Sequence, residues 1–317
     1  FSHEPVLPVG QQGGIHRQHR GQLALGLDQP GADVEFVGPH RQDRVLELAH
    51  QGLQTGAQVS PSPAFPAELA PFEGNAAPTV LYNGMIHMLA GFPIRGAIWY
   101  QGEGNAGNPG LYHKQLSQLV TSWRTLWKDE VPFAWVQLPN YTSPGEGWPR
   151  VRESMMKTLA LPKTGMAITI DIGDAKDIHP KNKQDVGKRL SFWALGTVYG
   201  KNVAAISGPL PAGSSISGNA ITVSFKHTNG GLKSMQGGAL TGFQIAGEDK
   251  QWKAAEAKIV GETVVVSSAE VAQPAAVRYA WKDWPEYSLA NGAGLPASPF
   301  RTDDWPSSVA AAPKGKK

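Results

Sequence analysis

The sequence predicts an α/β fold in which helices cover a parallel sheet, with a β-rich appendage towards the C-terminal end. Between residues 78 and 200, apolar runs of strand length alternate with longer segments of helical period, and this alternation is typical of parallel sheets. After Gly200 the pattern changes to short apolar runs separated by glycine and asparagine turns. Two kinds of sheet are therefore expected in one chain.

The α/β part is predicted to begin with a helix at residues 79–89 and a strand at residues 94–100, separated by Gly91 and Pro93. The strand is largely apolar, which predicts burial on both faces. A long amphipathic helix is expected to start near Pro109, because five apolar side chains step by four and three residues along one stripe. These side chains are Tyr112, Leu116, Leu119, Trp123 and Leu126.

The same patterns predict strands at 133–138 and 166–170 and helices at 149–159 and 186–200. In the appendage they predict strands at 220–225, 242–246, 263–267 and 276–281, followed by an irregular return over 283–300. We therefore divide the chain into four parts. These are an atypical N-terminal extension (1–75), an α/β domain (76–201), a β-rich appendage (202–305) and a disordered tail (306–317).

Composition sets the first 75 residues apart from the rest. They contain none of the ten tryptophans and none of the seven tyrosines, but five of the nine histidines. With four arginines, no lysine and eight acidic side chains they carry a net charge of −4, whereas the remainder carries +7. Two interpretations stay open: a lightly packed extension, or a stretch that is not native to the protein, such as a shifted reading of the gene.

The bulk composition excludes several classes of function. The net charge is only +3, and basic residues cluster only at Lys314, Lys316 and Lys317, so neither nucleic acid nor a membrane surface is an expected partner. The absence of cysteine excludes disulfides, thiolate metal sites and cysteine nucleophiles. No apolar run reaches the length of a membrane span, and no signal peptide is apparent after Phe1.

Two polar clusters follow predicted strands directly. Residues 101–105 read Q-G-E-G-N after the first strand, and residues 171–179 read D-I-G-D-A-K-D-I-H after the third. In open parallel sheets, ligands bind outside the carboxyl ends of the strands. Both clusters are therefore expected at one functional site.

The second cluster suggests a general base. His179 has Asp177 and Asp174 within reach, and a carboxylate on one ring nitrogen would fix the tautomer of the imidazole during acyl transfer. Two other interpretations stay open. Asp177 or a neighbour could cap a helix that has Pro180 at its first position, or the three side chains could bind zinc, although no second histidine lies at helical spacing.

The first cluster suggests an oxyanion pocket. The amides of Gln101 and Asn105 could donate to a developing oxyanion, while Gly102 and Gly104 let the backbone approach a substrate. Glu103 lies between the two glycines. The alternative is an ordinary turn in which the glycines and Asn105 tolerate positive φ.

Together, these segments resemble the sialate O-acetylesterase family of SGNH-type carbohydrate esterases. The resemblance rests on PTVLYNGMI at 78–86, IWYQGEGNA at 98–106 and DIGDAKDIHPKNK at 171–183, and it extends to LPASPFRTDDW at 295–305. It implies a flavodoxin-like sheet of the SGNH type, here incomplete at its N-terminus. It also implies a cofactor-free serine-type esterase that removes O-acetyl groups from carbohydrates.

By this resemblance His179 is the general base, Asp177 or Asp174 orients it, and residues 101–105 line the oxyanion and acetyl pocket. Gly104 stands where the family has serine. The family also has a G-Q-S-N-type block that carries the nucleophile, and residues 1–75 contain no match to it. The nucleophile is therefore unassigned.

Three functions stay open: a serine esterase with an unidentified nucleophile, a non-catalytic carbohydrate-binding remnant, and hydrolysis by water that His179 activates. The expected partner is an O-acetylated sugar or glycan, and the resemblance suggests a secreted or periplasmic location. Neither the glycan nor the oligomeric state follows from the sequence. Four aromatic residues near strand ends could stack on sugar rings, although such residues more often belong to the core. These are Trp99, Tyr100, Tyr141 and Trp148.

Overall fold

The computed structural model describes residue 77 and residues 79–306. The predictions for residues 1–75 and for 307–317 lie outside the described residues. The described residues belong to one compact unit, Glu73–Lys317. Within this part of the chain, no helix is long and apolar enough to cross a membrane.

A parallel sheet of three strands forms the α/β part, in the order β1-β2-β3. The strands are β1 (Ala97–Trp99), β2 (Phe133–Val136) and β3 (Thr164–Ala167). Ala97 pairs with Phe133, which pairs in turn with Thr164. All four residues of the central strand are buried, because helices cover both faces of the sheet, as the alternating pattern predicts.

Helices α1 (Tyr112–Trp127) and α2 (Gly147–Thr158) cover one face, and α3 (Lys183–Trp193) covers the other. The predicted stripe of α1 faces the sheet. Tyr112 and Leu116 are buried, and Leu119 and Trp123 pack against the same core. α1 ends at Lys128, which adopts the left-handed conformation typical of a helix C-terminus.

β1 departs from the prediction of a strand buried on both faces. Ile98 is 68% exposed, because α3 packs on β2 and β3 rather than on β1. The segment before β1 is helical as predicted, with a π-helical stretch at Tyr82–Ile86 and a 3-10 turn at His87–Leu89. Its apolar side chains are nevertheless exposed, since β1 stands at the edge of the described sheet.

The appendage consists of antiparallel strands in two four-stranded sheets and one two-stranded sheet. The first sheet is β4 (Leu210–Ser217), β5 (Ala220–Lys226), β10 (Thr263–Ser267) and β9 (Glu256–Val260). The second is β13 (Phe300–Arg301), β11 (Ala276–Tyr279), β7 (Phe243–Ala246) and β8 (Lys253–Ala254), and the third pairs β12 (Leu289–Asn291) with β6 (Leu232–Ser234). Side chains of the two larger sheets share one apolar core.

Sequence patterns find the inner strands of this appendage and miss the outer ones. β5 and β10 alternate buried and half-buried residues along their length, which is the period-two pattern that predicts a strand. β4 reads LPAGSSIS and is mostly exposed. Its side chains are small and mostly polar, so this strand shows no apolar alternation that would predict it.

Helix α2 joins the α/β part to the appendage through a fully buried Arg152. Its guanidinium donates to the carbonyl oxygens of Leu138 (2.8 Å) and Pro139 (2.6 Å), which follow β2. It also donates to the carbonyl oxygens of Lys282 (2.6 Å) and Asp283 (2.9 Å) in the return segment. One side chain therefore holds two distant loops together.

A charged cluster beside Arg152 fixes the C-terminal strand. Asp303 accepts hydrogen bonds from Arg278 (3.0 Å) and Arg301 (3.1 Å), and Arg301 also binds Glu153 of α2 (3.0 and 3.2 Å). Burial alone would raise the pKa of the Asp303 carboxyl, but the two arginines outweigh burial and hold this pKa below its ordinary value.

We expect Asp303→Asn to lower the free energy of unfolding at pH 7 by about 1–3 kcal/mol, because Arg278 and Arg301 lose their shared carboxylate but keep Glu146 and Glu153. In the parent chain, the stabilisation from Asp303 is present above the unfolded pKa of about 4 and is lost as pH falls through the lower folded pKa. Urea denaturation at pH 7 and at pH 3 measures both effects. A variant as stable as the parent at pH 7 would contradict this assignment, and Asp304→Asn, at an exposed neighbour, is the control.

Candidate functional site

The loop after β1 is held by a chain of hydrogen bonds that ends on α1. The Gln101 side-chain amide donates to Asn105 Oδ1 (2.7 Å), and the Asn105 amide donates to Gln115 Oε1 (2.9 Å). The Tyr112 hydroxyl donates to the Gln101 backbone carbonyl (2.8 Å) and lies 3.2 Å from Gln101 Oε1. These contacts orient both amides and occupy one N–H of each.

Tyr112 and Gln115 were missed as site residues. Tyr112 belongs to the apolar stripe of α1 and was assigned to the core, where it does pack. Its hydroxyl nevertheless reaches the loop, and burial raises its pKa, so that it stays a hydrogen-bond donor at neutral pH. Since Gln115 lies three residues after Tyr112, it emerges from the same side of the helix.

The two glycines of this loop differ in their constraints. Gly102 has φ 147°, and a Cβ there would lie 2.8 Å from Met155 Cε. Gly102 therefore favours glycine for its backbone, whereas the Met155 methyl group is the end of a flexible side chain that can move aside. A Cβ at Gly104 would meet no atom within 4 Å, so its lack of a side chain is not imposed by packing.

The loop after β3 is fixed at its start by α3 and by the loop after β2. Asp171 forms a two-pronged ion pair with Arg189 of α3, at 2.6 Å for each oxygen. The Gly173 N–H donates to Asn140 Oδ1 (2.7 Å), and a Cβ on Gly173 would collide with the Asn140 backbone. The base of the loop is therefore set by buried and half-buried contacts.

The tip of this loop brings Asp177, rather than Asp174, to His179. Asp177 Oδ1 lies 3.2 Å from His179 Nδ1 and also accepts the His179 backbone N–H (2.9 Å). These contacts, with the His179 backbone N–H the largest, hold the pKa of the Asp177 carboxyl below its ordinary value. Asp174 instead accepts the backbone N–H of Lys176 (2.9 Å).

The structure also tests whether Asp177 caps the following helix. α3 starts at Lys183, and its cap is Asn182, whose side chain accepts the Asp185 N–H (3.1 Å). The interpretation of Asp177 as a helix cap was therefore wrong. Pro180 lies ahead of the helix rather than at its first position, because the chain makes a bend before Asn182.

Both loops line one cavity of about 290 Å³ at the carboxyl ends of β1 and β3. Its six lining residues are Tyr100, Gln101, Glu103, Ile178, His179 and Lys183. None of them is a serine. Among the described residues, no group of three or more histidine, aspartate or glutamate side chains is placed to hold a metal ion. The cavity thus combines an imidazole, an amide and two charged side chains.

The aromatic residues proposed as sugar-stacking surfaces separate into two groups. Tyr100 lines the cavity. Trp148 is 3% exposed and donates its indole N–H to the Pro139 carbonyl (2.7 Å), and Tyr141 packs against its ring. Trp99 packs against the core under α1 and α2. Trp148 is therefore a core residue, while Tyr100 is available at the cavity.

Known proteins match this chain in sequence and in structure. Residues 72–194 match the family model described as carbohydrate esterase, sialic acid-specific acetylesterase. The chain is 29% identical over 295 residues to the sialate O-acetylesterase of Rattus norvegicus, and 30% identical over 252 residues to that of Mus musculus. A carbohydrate acetylesterase of known structure from Xanthomonas citri is 45% identical, with a TM-score of 0.69. Over these residues the chain is similar to the sialate O-acetylesterase family.

The match to this family is partial in length. The rat and mouse alignments cover 82% and 70% of this chain but 54% and 47% of those proteins. The alignment with the Xanthomonas citri enzyme covers 72% of this chain and 55% of that one. The chain therefore spans about half the length of the sialate O-acetylesterases it matches. Its three-stranded parallel sheet with helices is of the SGNH esterase type.

We expect Gly104→Ser to fold as the parent does, because the added side chain enters open space and because serine is the residue that the family resemblance implies here. Gly102→Ser is the matched comparison. It should lower the free energy of unfolding by about 1–3 kcal/mol, since its φ of 147° is a conformation that side chains rarely adopt. Thermal unfolding measures both variants, and equal losses in the two would contradict this account of the loop.

Proposed function

We propose that this chain carries the base and acyl-pocket side of a carbohydrate O-acetylesterase site. In this proposal His179 is the general base, and Asp177 orients its imidazole through Nδ1. Gln101 and Asn105 supply N–H donors to the oxyanion of the tetrahedral intermediate. The observation that carries the proposal is the His179–Asp177 contact of 3.2 Å beside the cavity that Gln101 and Glu103 also line.

The chemistry of these groups supports acyl transfer. With Nδ1 held by a carboxylate, Nε2 of the imidazole is the nitrogen that accepts a proton from a nucleophile. The side-chain amides of Gln101 and Asn105 are each fixed by one hydrogen bond, so each keeps a second N–H for a substrate oxygen. Donors that are already oriented stabilise a developing negative charge without reorganising.

Asp174 has a different place in this proposal. Its carboxylate closes a local turn with the Lys176 N–H, which shapes the loop without touching the imidazole. Asp177 is therefore the aspartate that we assign to the orienting role. The comparison of the two aspartates provides a direct test, because both precede His179 on the same loop.

A second function is supported by the cavity lining. None of its six residues is a serine, cysteine or threonine, so the described cavity holds a base without a nucleophile. A chain of this kind would bind acetylated glycans without forming an acyl-enzyme. Water activated directly by His179 is the third possibility, because the imidazole side chain is 75% exposed to solvent.

Hydrolysis of 4-nitrophenyl acetate by the full chain tests the proposed function. We expect His179→Ala to lower kcat by about 100-fold or more, because general-base catalysis contributes about that much. The exposed His87, outside the cavity, provides the control variant His87→Ala, which should keep the parent rate. Equal rates in parent and His179→Ala would contradict the role of His179, and an inactive parent would favour the glycan-binding alternative.

We also expect Asp177→Asn to lower kcat by about tenfold or more, because an asparagine neither fixes the imidazole tautomer nor stabilises the imidazolium. Asp174→Asn is the matched control and should change kcat by less than about threefold. The same 4-nitrophenyl acetate assay measures both. A larger loss in Asp174→Asn than in Asp177→Asn would reverse the assignment of the orienting aspartate.

A further inference from the structure

Asparagine precedes glycine at three places in the chain, at residues 83–84, 229–230 and 291–292. This pair is chemically labile, because the backbone nitrogen of the glycine can attack the side-chain carbonyl carbon of the asparagine. Glycine has no Cβ to obstruct that attack, and its backbone reaches conformations that other residues avoid. The three pairs share one possible reaction, and the local structure decides which of them undergoes it.

Two of the three asparagines are held by their surroundings. Asn291 is fully buried, and its side-chain amide donates to the carbonyl oxygens of Ser207 (3.0 Å) and His227 (2.9 Å). Asn83 lies within the helical stretch Tyr82–Ile86, whose regular backbone directs each N–H along the helix axis and away from the side chains. Both pairs therefore need a local opening of the structure before the ring of the reaction intermediate can close.

The third asparagine, Asn229, lies in an exposed turn between β5 and β6. Gly230 and Gly231 follow it with φ of 79° and 88°, so two residues without side chains continue the backbone from this asparagine. Within residues 79–306, no hydrogen bond holds the Asn229 side chain. Its amide is therefore open both to water and to the Gly230 nitrogen.

We propose that Asn229 is a site of deamidation in this protein. The Gly230 nitrogen forms a bond to the Asn229 side-chain carbonyl carbon, and the bond from that carbon to Nδ2 breaks. The proton of the Gly230 nitrogen passes through solvent to the departing amine, which leaves as ammonia. Water then opens the five-membered succinimide ring at either carbonyl and yields aspartate or isoaspartate. The net reaction consumes one water molecule and needs no group from the esterase site.

The product changes the support of the neighbouring strand pair β6–β12. The Gly292 N–H donates to the Gly231 carbonyl (2.7 Å). A Cβ on Gly292 would lie 2.5 Å from the Gly230 carbonyl oxygen, so the turn packs closely against the residue that follows β12. Isoaspartate adds a methylene group to the main chain of this turn. The added group displaces the Gly230 carbonyl and weakens the pairing of β6 with β12.

Peptide mapping by mass spectrometry tests the site after the folded full chain has been incubated at mildly alkaline pH. We expect the Asn229 peptide to convert at least about tenfold faster than the Asn83 and Asn291 peptides. These two convert only through local opening, and each tenfold difference in rate corresponds to about 1.4 kcal/mol of opening free energy. The variant Asn229→Gln is the control and should keep its amide, because the longer side chain would have to close a six-membered ring.

The same mapping in guanidinium chloride separates the effect of structure from that of sequence. In the unfolded chain all three peptides should convert, and the advantage of Asn229 should disappear. Equal conversion of the three peptides in the folded chain, or an Asn229 peptide that stays intact there, would overturn the proposal. Thermal unfolding of the incubated chains measures the consequence. The parent should unfold at a lower temperature than Asn229→Gln after incubation, and equal temperatures would overturn the effect on β6–β12.

Discussion

The arrangement of the described chain depends on the burial of one guanidinium. Arg152 is wholly removed from water, and burial lowers its pKa to about 9, an effect that the nearby Asp283 partly opposes. Burying a cation costs several kcal/mol unless its hydrogen bonds are satisfied. Here four carbonyl oxygens satisfy them, two from the loop after β2 and two from the return segment. The two loops can therefore adopt only arrangements in which their carbonyls converge.

The candidate site is assembled around the same helix. Gly147, at the start of α2, packs against the Ala106 backbone, and Met155 packs on Gly102, so the loop after β1 rests on α2. The loop after β2 places Asn140 against Gly173, at the start of the histidine loop. Through these contacts α2 sets the positions of the loop after β1 and of the start of the loop after β3. Glu153 and Arg301 extend the same support to the C-terminal strand.

The sequence predicted the α/β order, the family and both polar loops, because these depend on local period and on unbroken motifs. Helix 149–159 and strand 263–267 correspond closely to α2 and β10. Burial of residues 94–100 on both faces was wrong, since it depends on which helix covers which strand. The roles of Arg152 and of Tyr112 were also missed. Both side chains act across more than ten residues of sequence, and neither interrupts an apolar pattern in a way that reveals its partners.

The described site contains some of the groups that acyl transfer requires and lacks others. The His179 imidazole and the Gln101 amide line one cavity, and none of the cavity-lining residues is a serine, cysteine or threonine. Gly104 stands where the family resemblance implies a serine, and the space around it would admit that side chain. The family match therefore supports the acetylesterase proposal, and the described cavity supplies its base without a nucleophile.

Labelling with a fluorophosphonate, followed by peptide mapping, tests the central claim most directly. If His179 is the general base of a serine esterase, the reagent should modify one serine. Modification should slow by about 100-fold or more in His179→Ala, because the base no longer activates the hydroxyl. The mapped peptide would then identify the nucleophile. Absence of labelling in the full chain, or labelling at the same rate in His179→Ala, would contradict the claim.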